Sequence, residues 1–268
     1  MTCSPVLRLE TYTTIKKGMK QRLKDIEKHG RVTIKTMKNI MGKNSGKIIS
    51  SGNGKMPGYT QGTSAHFCQI GAKLRKNNPN SSCAVCYVFK GNYRFDNVQK
   101  GLKQASLAVE FFEKQQDYSL WIESLGNRIK QLCIVKKTYL DGKIIAEKDN
   151  RWFRFHDSGD VQSEKHLTAI NTIALKNPDV KFWLPTREVK YVKSFLKNNQ
   201  DFADNLCVRI SCMTMKEGPK DYKTGLTTST IDYSEATDNC IAPMQGGSCD
   251  GELMSCRKCW DRSVPNTN

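Results

Sequence analysis

The chain has 268 residues, with 43 Lys and Arg against 26 Asp and Glu for a formal charge of +17, and it carries eleven cysteines. Its length suits one α/β barrel-sized domain or two smaller ones, and its 38% hydrophobic content argues against a disordered chain. No window approaches the ~18 apolar residues of a membrane span and no apolar signal segment opens the chain, so a reducing cytoplasmic setting is expected, in which thiols are metal ligands or small core residues rather than disulfides.

The charge is uneven: residues 1–60 hold thirteen Lys and Arg against three Asp and Glu. A nucleic acid or other phosphate-bearing partner is one reading, and a well-solvated lysine-rich surface is the other. Over residues 14–28, Ile15, Met19, Leu23 and Ile26 recur at helical spacing among Lys and Arg, and Gly30 ends the pattern. A strand is expected at 47–50, running into SGNGKMPGYTQGTS. That glycine-rich loop is not a nucleotide phosphate loop, because its Gly-Lys is not followed by Ser or Thr and the spacer is wrong.

Residues 66–87, HFCQIGAKLRKNNPNSSCAVCY, bring together Cys68, Cys83 and Cys86. Next comes a helix on Val98, Leu102, Ala105, Val109 and Phe112 with Asp96 or Asn97 as its cap, and a second helix from about 118 to 132. The polar stretch 136–150 with its central Asp-Gly reads as a turn or hairpin.

The clearest architecture follows. WFRFH (152–156), KFWLP (181–185) and LCVRIS (206–211) are strand-like, and they are separated by helical patterns on Leu167, Ile170, Ile173 and on Val189, Val192, Leu196. Strands alternating with helices predict an α/β fold of parallel βα units forming a partial or complete TIM-like barrel, whose functional groups stand at the strands' carboxyl ends. Those ends carry His156, Asp157, Ser158 and Asp160, then Arg187 and Glu188, then Ser211 and Cys212. His156, Asp157, Asp160, Arg187 and Glu188 are the candidates for binding a cofactor or substrate, and Ser163 caps the next helix. Along a continued strand Asp157 would point away from His156 and Ser158, so these three do not form a hydrolase triad. Arg209 shares a face with Cys207 and Ser211, which suggests a bound anion inside a barrel or a solvated edge.

The last segment is aperiodic and ends in Cys240, Cys249, Cys256 and Cys259. Three regions are expected: a basic helical extension (1–46), the α/β domain with the first cysteine set (47–235), and a four-cysteine metal-binding tail (236–268). Four thiols among glycines can enclose zinc or a [4Fe–4S] cluster alike. Three thiols, Cys68, Cys83 and Cys86, leave one iron of a four-iron cluster open to a substrate, a cofactor or a further side chain such as His66. Cys3, Cys133, Cys207 and Cys212 read as terminal or core residues.

On the Cys83-x-x-Cys86-Tyr87 ending, the place of these cysteines after an early strand and the later βα units, the chain resembles the radical S-adenosylmethionine enzymes. That resemblance implies that the cofactor's amino and carboxylate groups chelate the open iron. It departs from that pattern in having fourteen residues between Cys68 and Cys83 where three are usual. The segments GNGKMPGYT, CAVCYVFKGNYRFDNVQ, RFHDSGDVQSEKHL, FWLPTRE and CRKCWDRSVPN resemble the phage protein family called gene product eighty-eight. This implies a phage or prophage origin, and hence the cytoplasm of a host cell, and carries no activity over.

The expectation is an enzyme of the radical S-adenosylmethionine type, with one or two [4Fe–4S] clusters, or zinc in the tail, and a small-molecule cofactor. The competing class is a non-catalytic zinc- or iron–sulfur-binding protein that engages nucleic acid or a host protein. No membrane partner is expected, and neither substrate nor oligomeric state is legible.

Overall fold

Six short, all-parallel strands form the central sheet of the computed structural model, which describes residues 4–42, 49–50, 55–199, 201–236 and 239–268. They are β1 (Tyr59–Gln61), β4 (Trp152–Phe155), β5 (Lys181–Thr186), β6 (Leu206–Ser211), β7 (Thr227–Ser229) and β8 (Asn266–Thr267), and they lie side by side in that order. A separate antiparallel hairpin, β2 (Val135–Leu140) and β3 (Lys143–Asp149), turns at Asp141 and Gly142, both at positive φ, as the Asp-Gly pair predicts. The helices are α1 (Pro5–His29), α2 (Ile34–Ile40), α3 (Ile70–Asn77), α4 (Asp96–Gln115), α5 (Ser119–Leu132), α6 (Glu164–Leu175) and α7 (Val189–Asn198).

Alternation along the strands gives the sheet two unlike faces. Phe153, Phe155, Phe182, Leu184, Leu206, Val208 and Ile210 point to one side, where they join Trp121 and Leu125 of α5, Ile170 and Ile173 of α6, and Val192 and Phe195 of α7 in the main core. Each of these large apolar groups contributes about 1.5–3 kcal/mol by leaving water. The opposite face carries Arg154, Trp183, Pro185, Cys207, Arg209 and Ser211, and the chain's last residues cross it. There Trp260 packs against Trp152 and Trp183 at ring separations of 5.9 and 5.2 Å.

The structure is therefore mixed α/β around a parallel sheet, as expected, and of the partial or complete barrel expected the complete form is not seen among the described residues. Strands β1 and β8 end the order without pairing with each other. With three and two residues, β7 and β8 are too short to carry the ladder round.

Several local expectations hold. Gly30, at φ +64°, ends α1 and donates to the Ile26 carbonyl, and Ser163 caps α6 by accepting from the His166 N–H. Helix α1 starts earlier than its periodicity suggested, at Pro5, whose fixed φ suits a first turn. Its Ile15 is fully buried in the main core beside Ile40 and Met41. Helix α4 begins at Asp96, but neither Asp96 nor Asn97 caps it: Phe95 holds the cap position without a side-chain bond. The expected strand at 47–50 and the start of the glycine-rich loop lie outside the described residues except for Ile49 and Ser50, and Cys3 lies outside them too. Ser50 makes an antiparallel bridge to Thr60. Among the described residues no helix is long and apolar enough to cross a membrane.

Candidate functional site

At the carboxyl ends of β1, β4, β5 and β6 opens a cavity of about 300 Å³. Cys68, Cys83 and Cys86 line it from the loop after β1, His156, Asp157 and Asp160 from the loop after β4, and Arg187 from the end of β5. Arg154 and Trp183, from the sheet's inner face, form its floor. Of the expected ligand and cofactor-binding residues, Glu188, His66 and the four tail cysteines are not in the lining.

The cysteine loop is held by the two residues that end β5. Glu188 Oε1 accepts the N–H groups of Gln69 and Ile70, which fixes the start of α3 directly after Cys68. Arg187 Nε donates to the Cys212 carbonyl at 2.9 Å, and its NH2 donates to Ser82 Oγ at 2.8 Å, next to Cys83. The two side chains thus do not pair with each other; each grips one end of the loop. Further along, Met215 donates to the Asn80 carbonyl and Asn78 Nδ2 to Thr214 Oγ1, which ties the same loop to the segment after β6.

Gly71, in the first turn of α3, leaves the space between the thiols open. A methyl group there would stand 3.5 Å from Cys83 Sγ and 3.8 Å from Cys68 Sγ. Burial, and then the negative charges of Asp160, Cys83 and Cys86, push the Cys68 thiol well above its ordinary range. A bound cation reverses that preference, since metal ligation requires the thiolate and releases the proton. Among the described residues, no group of three or more His, Cys, Asp or Glu side chains stands in single-ion coordination geometry. His66 is not in the cavity lining; it packs edge-on against Phe89 at 5.1 Å.

The loop after β4 is shaped by backbone as much as by side chains. His156 takes a positive φ of 56°, which ends the strand, so the alternation expected to separate Asp157 from its neighbours does not apply. Gly159 follows at φ +77°, with Thr63 so close that a Cβ would meet its Oγ1 at 2.1 Å. Ser158 Oγ donates to the Thr63 carbonyl, and Thr63 N returns a bond to Ser158 O, which stitches this loop to the end of β1. Asp160 is largely engaged: Thr186 Oγ1 and the N–H groups of Val161 and Arg187 all donate to its carboxylate. Burial raises its pKa and these bonds oppose the rise.

Asp157 Oδ2 accepts from Thr60 and Tyr93, and its carbonyl accepts from the Tyr87 hydroxyl. Burial, with Arg154 nearby, holds the His156 imidazole neutral, down to about 3. Among the described residues, Arg154 Nε, His156 Nε2, Asp157 Oδ1 and Trp183 Nε1 are buried without a hydrogen-bond partner. Sequence reasoning passed over Arg154 and Trp183 because inside a strand they read as ordinary strand residues. The signal was that each, like Arg209, stands between two apolar core residues of its own strand, which places all three on one face.

The tail forms a second thiol group. Asp250 bridges Ser255, so Cys249 and Cys256 flank a tight turn, and Cys256 N donates to the Cys249 carbonyl. Burial first, and then Cys240 and Cys256, raise the Cys249 thiol to about 11; burial, with Cys240 and Cys249 adding, raises Cys259 to about 12. Cys83 and Cys86 thus lie near enough to Cys68, and Cys240 and Cys256 near enough to Cys249, to shift that thiol in each case. Cys133, Cys207 and Cys212 are buried, as expected.

Arg209 anchors this tail. It is fully buried, and all five of its N–H groups donate to carbonyls: those of Cys259, Thr228, Val264, Lys258 and Asp261, at 2.6–3.1 Å. This corrects both expectations for Arg209, a bound anion and a solvated edge, because a carbonyl cage takes the whole guanidinium.

Residues 17–244 match the model of a family described as Gene product 88. No curated protein and no solved structure matches the chain.

Proposed function

This chain belongs to the Gene product 88 family, and we propose that it is an iron–sulfur enzyme of the radical S-adenosylmethionine type, of phage or prophage origin and working in the host cytoplasm. The observation that carries the reading is the convergence of Cys68, Cys83 and Cys86 on one cavity at the carboxyl end of a parallel sheet, around the space that Gly71 leaves. Three thiols spread over such a space suit a multi-iron cluster, whose ligands each bind a different iron, better than one zinc ion with four bonds of ~2.3 Å.

When bound, a cluster held by three cysteines supplies an electron to the sulfonium of S-adenosylmethionine. The chain's own residues would do the rest. Glu188 and Arg187 hold the cysteine loop in place, while Asp157 Oδ1 and His156 Nε2 offer polar contacts to a cofactor amine or ribose, and Asp160 keeps the wall between them rigid. Cys240, Cys249, Cys256 and Cys259 would hold a second cluster or a structural zinc, and the basic α1–α2 region makes nucleic acid a candidate partner.

Anaerobic purification with iron, sulfide and zinc analysis tests this. Iron and sulfide with visible absorbance are expected, reduced by Cys83→Ala and Cys86→Ala, together with cleavage of S-adenosylmethionine by the reduced protein. Zinc alone, with no visible absorbance, would support the competing zinc-stabilised binding protein. An unchanged cluster in Cys68→Ala would remove Cys68 from the ligand set.

A further inference from the structure

Arg154 and Arg209 lie on the same face of the sheet, two strands apart, and their environments are opposite. Arg209 has every N–H satisfied by a carbonyl. Arg154 lies with its guanidinium carbon 4.4 Å over the Trp183 ring and beside the Tyr87 hydroxyl, and its Nε is buried without a partner. Among the described residues no carboxylate comes within ion-pair distance of it. Asp157, the acidic group on the adjoining loop, instead engages Thr60 and Tyr93.

A half-buried guanidinium with no counter-charge and its Nε cut off from any acceptor is costly, and a ligand anion would complete it. Arg154 and Trp183 are register partners on β4 and β5 and both line the cavity. Trp183 Nε1 and His156 Nε2 are buried without partners in the same lining. The indole face orients the planar guanidinium, as stacking fixes an arginine fork for bidentate recognition.

We infer that the cavity binds a small molecule through an anionic group, a carboxylate or a phosphate, received by Arg154 on its Trp183 platform. That the molecule is the enzyme's substrate rests on the function proposed above; the binding itself does not depend on any cluster.

The test uses the full chain, reduced and without added metal. Tryptophan fluorescence is titrated with sodium phosphate and, separately, with sodium succinate, at ionic strength held constant with sodium chloride. A saturable change with one of the two is expected; phosphate or succinate alone identifies which anion is taken. Arg154→Gln should weaken it at least tenfold, Trp183→Phe should remove most of the optical signal, and Lys143→Gln, on the distant hairpin, should change neither. In the unsubstituted chain the same anion should slow phenylglyoxal labelling of Arg154, mapped by mass spectrometry, which keeps the test independent of how the variants fold. Equal affinity in Arg154→Gln, or labelling indifferent to both anions, overturns the inference. Iron retained without anion binding overturns it alone, whereas anion binding without iron overturns only the cluster.

Discussion

Glu188 Oε1 accepts the backbone N–H groups of Gln69 and Ile70, at 3.1 and 2.8 Å, so a carboxylate at the end of β5 caps a helix that began 118 residues earlier. The consequence is that the loop bearing Cys68 is positioned by the sheet rather than by its own sequence. Glu188→Ala leaves two N–H groups without their acceptor and should cost about 1–3 kcal/mol. Glu188→Gln keeps an acceptor oxygen and should cost less. Urea denaturation checks both, and an alanine variant within about 0.3 kcal/mol of the parent would show that water replaces the carboxylate at no cost.

Arg209 organises the end of the chain, so its removal should act there first. Arg209→Met fits the space but strands five carbonyls, and a loss of about 3–5 kcal/mol is expected. Arg209→Lys, with three donors in place of five, should fall between. Limited proteolysis should cut the methionine variant within residues 240–268 well before the parent. Cleavage elsewhere first would mean that the tail is held chiefly by Trp260 and its aromatic neighbours.

How far these features could be read beforehand follows from the range of the interactions. β4, β5 and β6, their crossover helices, the Asp141-Gly142 turn and the Ser163 cap are each written in a few adjacent residues, and they emerge directly. The cysteine loop was legible as a site because thiols seldom cluster without purpose. β7 and β8 were not, since TTS and NT carry no apolar alternation. They are strands because Arg209 gathers the Thr228 and Val264 carbonyls beside them. The roles of Arg187 and Glu188 were missed for the same reason: a residue at a strand end resembles a ligand contact until the loop it grips, more than a hundred residues away, is seen. Arg154 needed both its strand register and its neighbour Trp183 to stand out.

Acid should destabilise the protein through its buried imidazoles. Desolvation lowers His156 to about 3 and holds His166, fully buried between Tyr118 and Trp121, well below its ordinary value. Above about pH 6.5 both are neutral in the folded and the unfolded chain and contribute no pH dependence. Below it the unfolded chain takes up protons that the folded chain refuses, so stability falls as pH drops toward about 3, by up to roughly 4 kcal/mol for His156 alone. Urea midpoints at pH 7.5, 6 and 5 should decline in that order, and His156→Asn should flatten part of the slope. A midpoint constant across this interval would mean that His156 is protonated in the fold.

Gly71 separates folding from cluster binding. Within a helix, Gly→Ala is worth about 0.5–1 kcal/mol of added stability, so substitution there carries no intrinsic folding penalty. An alanine Cβ would meet Cys68 Cβ at 3.2 Å and Cys83 Sγ at 3.5 Å, which a shift of a few tenths of an ångström accommodates. A valine would extend its methyl groups into the space between the two sulfurs. Gly71→Ala should therefore keep the parent's circular dichroism and most of its iron after anaerobic reconstitution, while Gly71→Val should keep the fold and lose iron at least tenfold. Full iron and sulfide in the valine variant would place the cluster away from Cys68 and Cys83, and a melting temperature lowered in both variants would mean that this turn of α3 tolerates no side chain for reasons of packing alone.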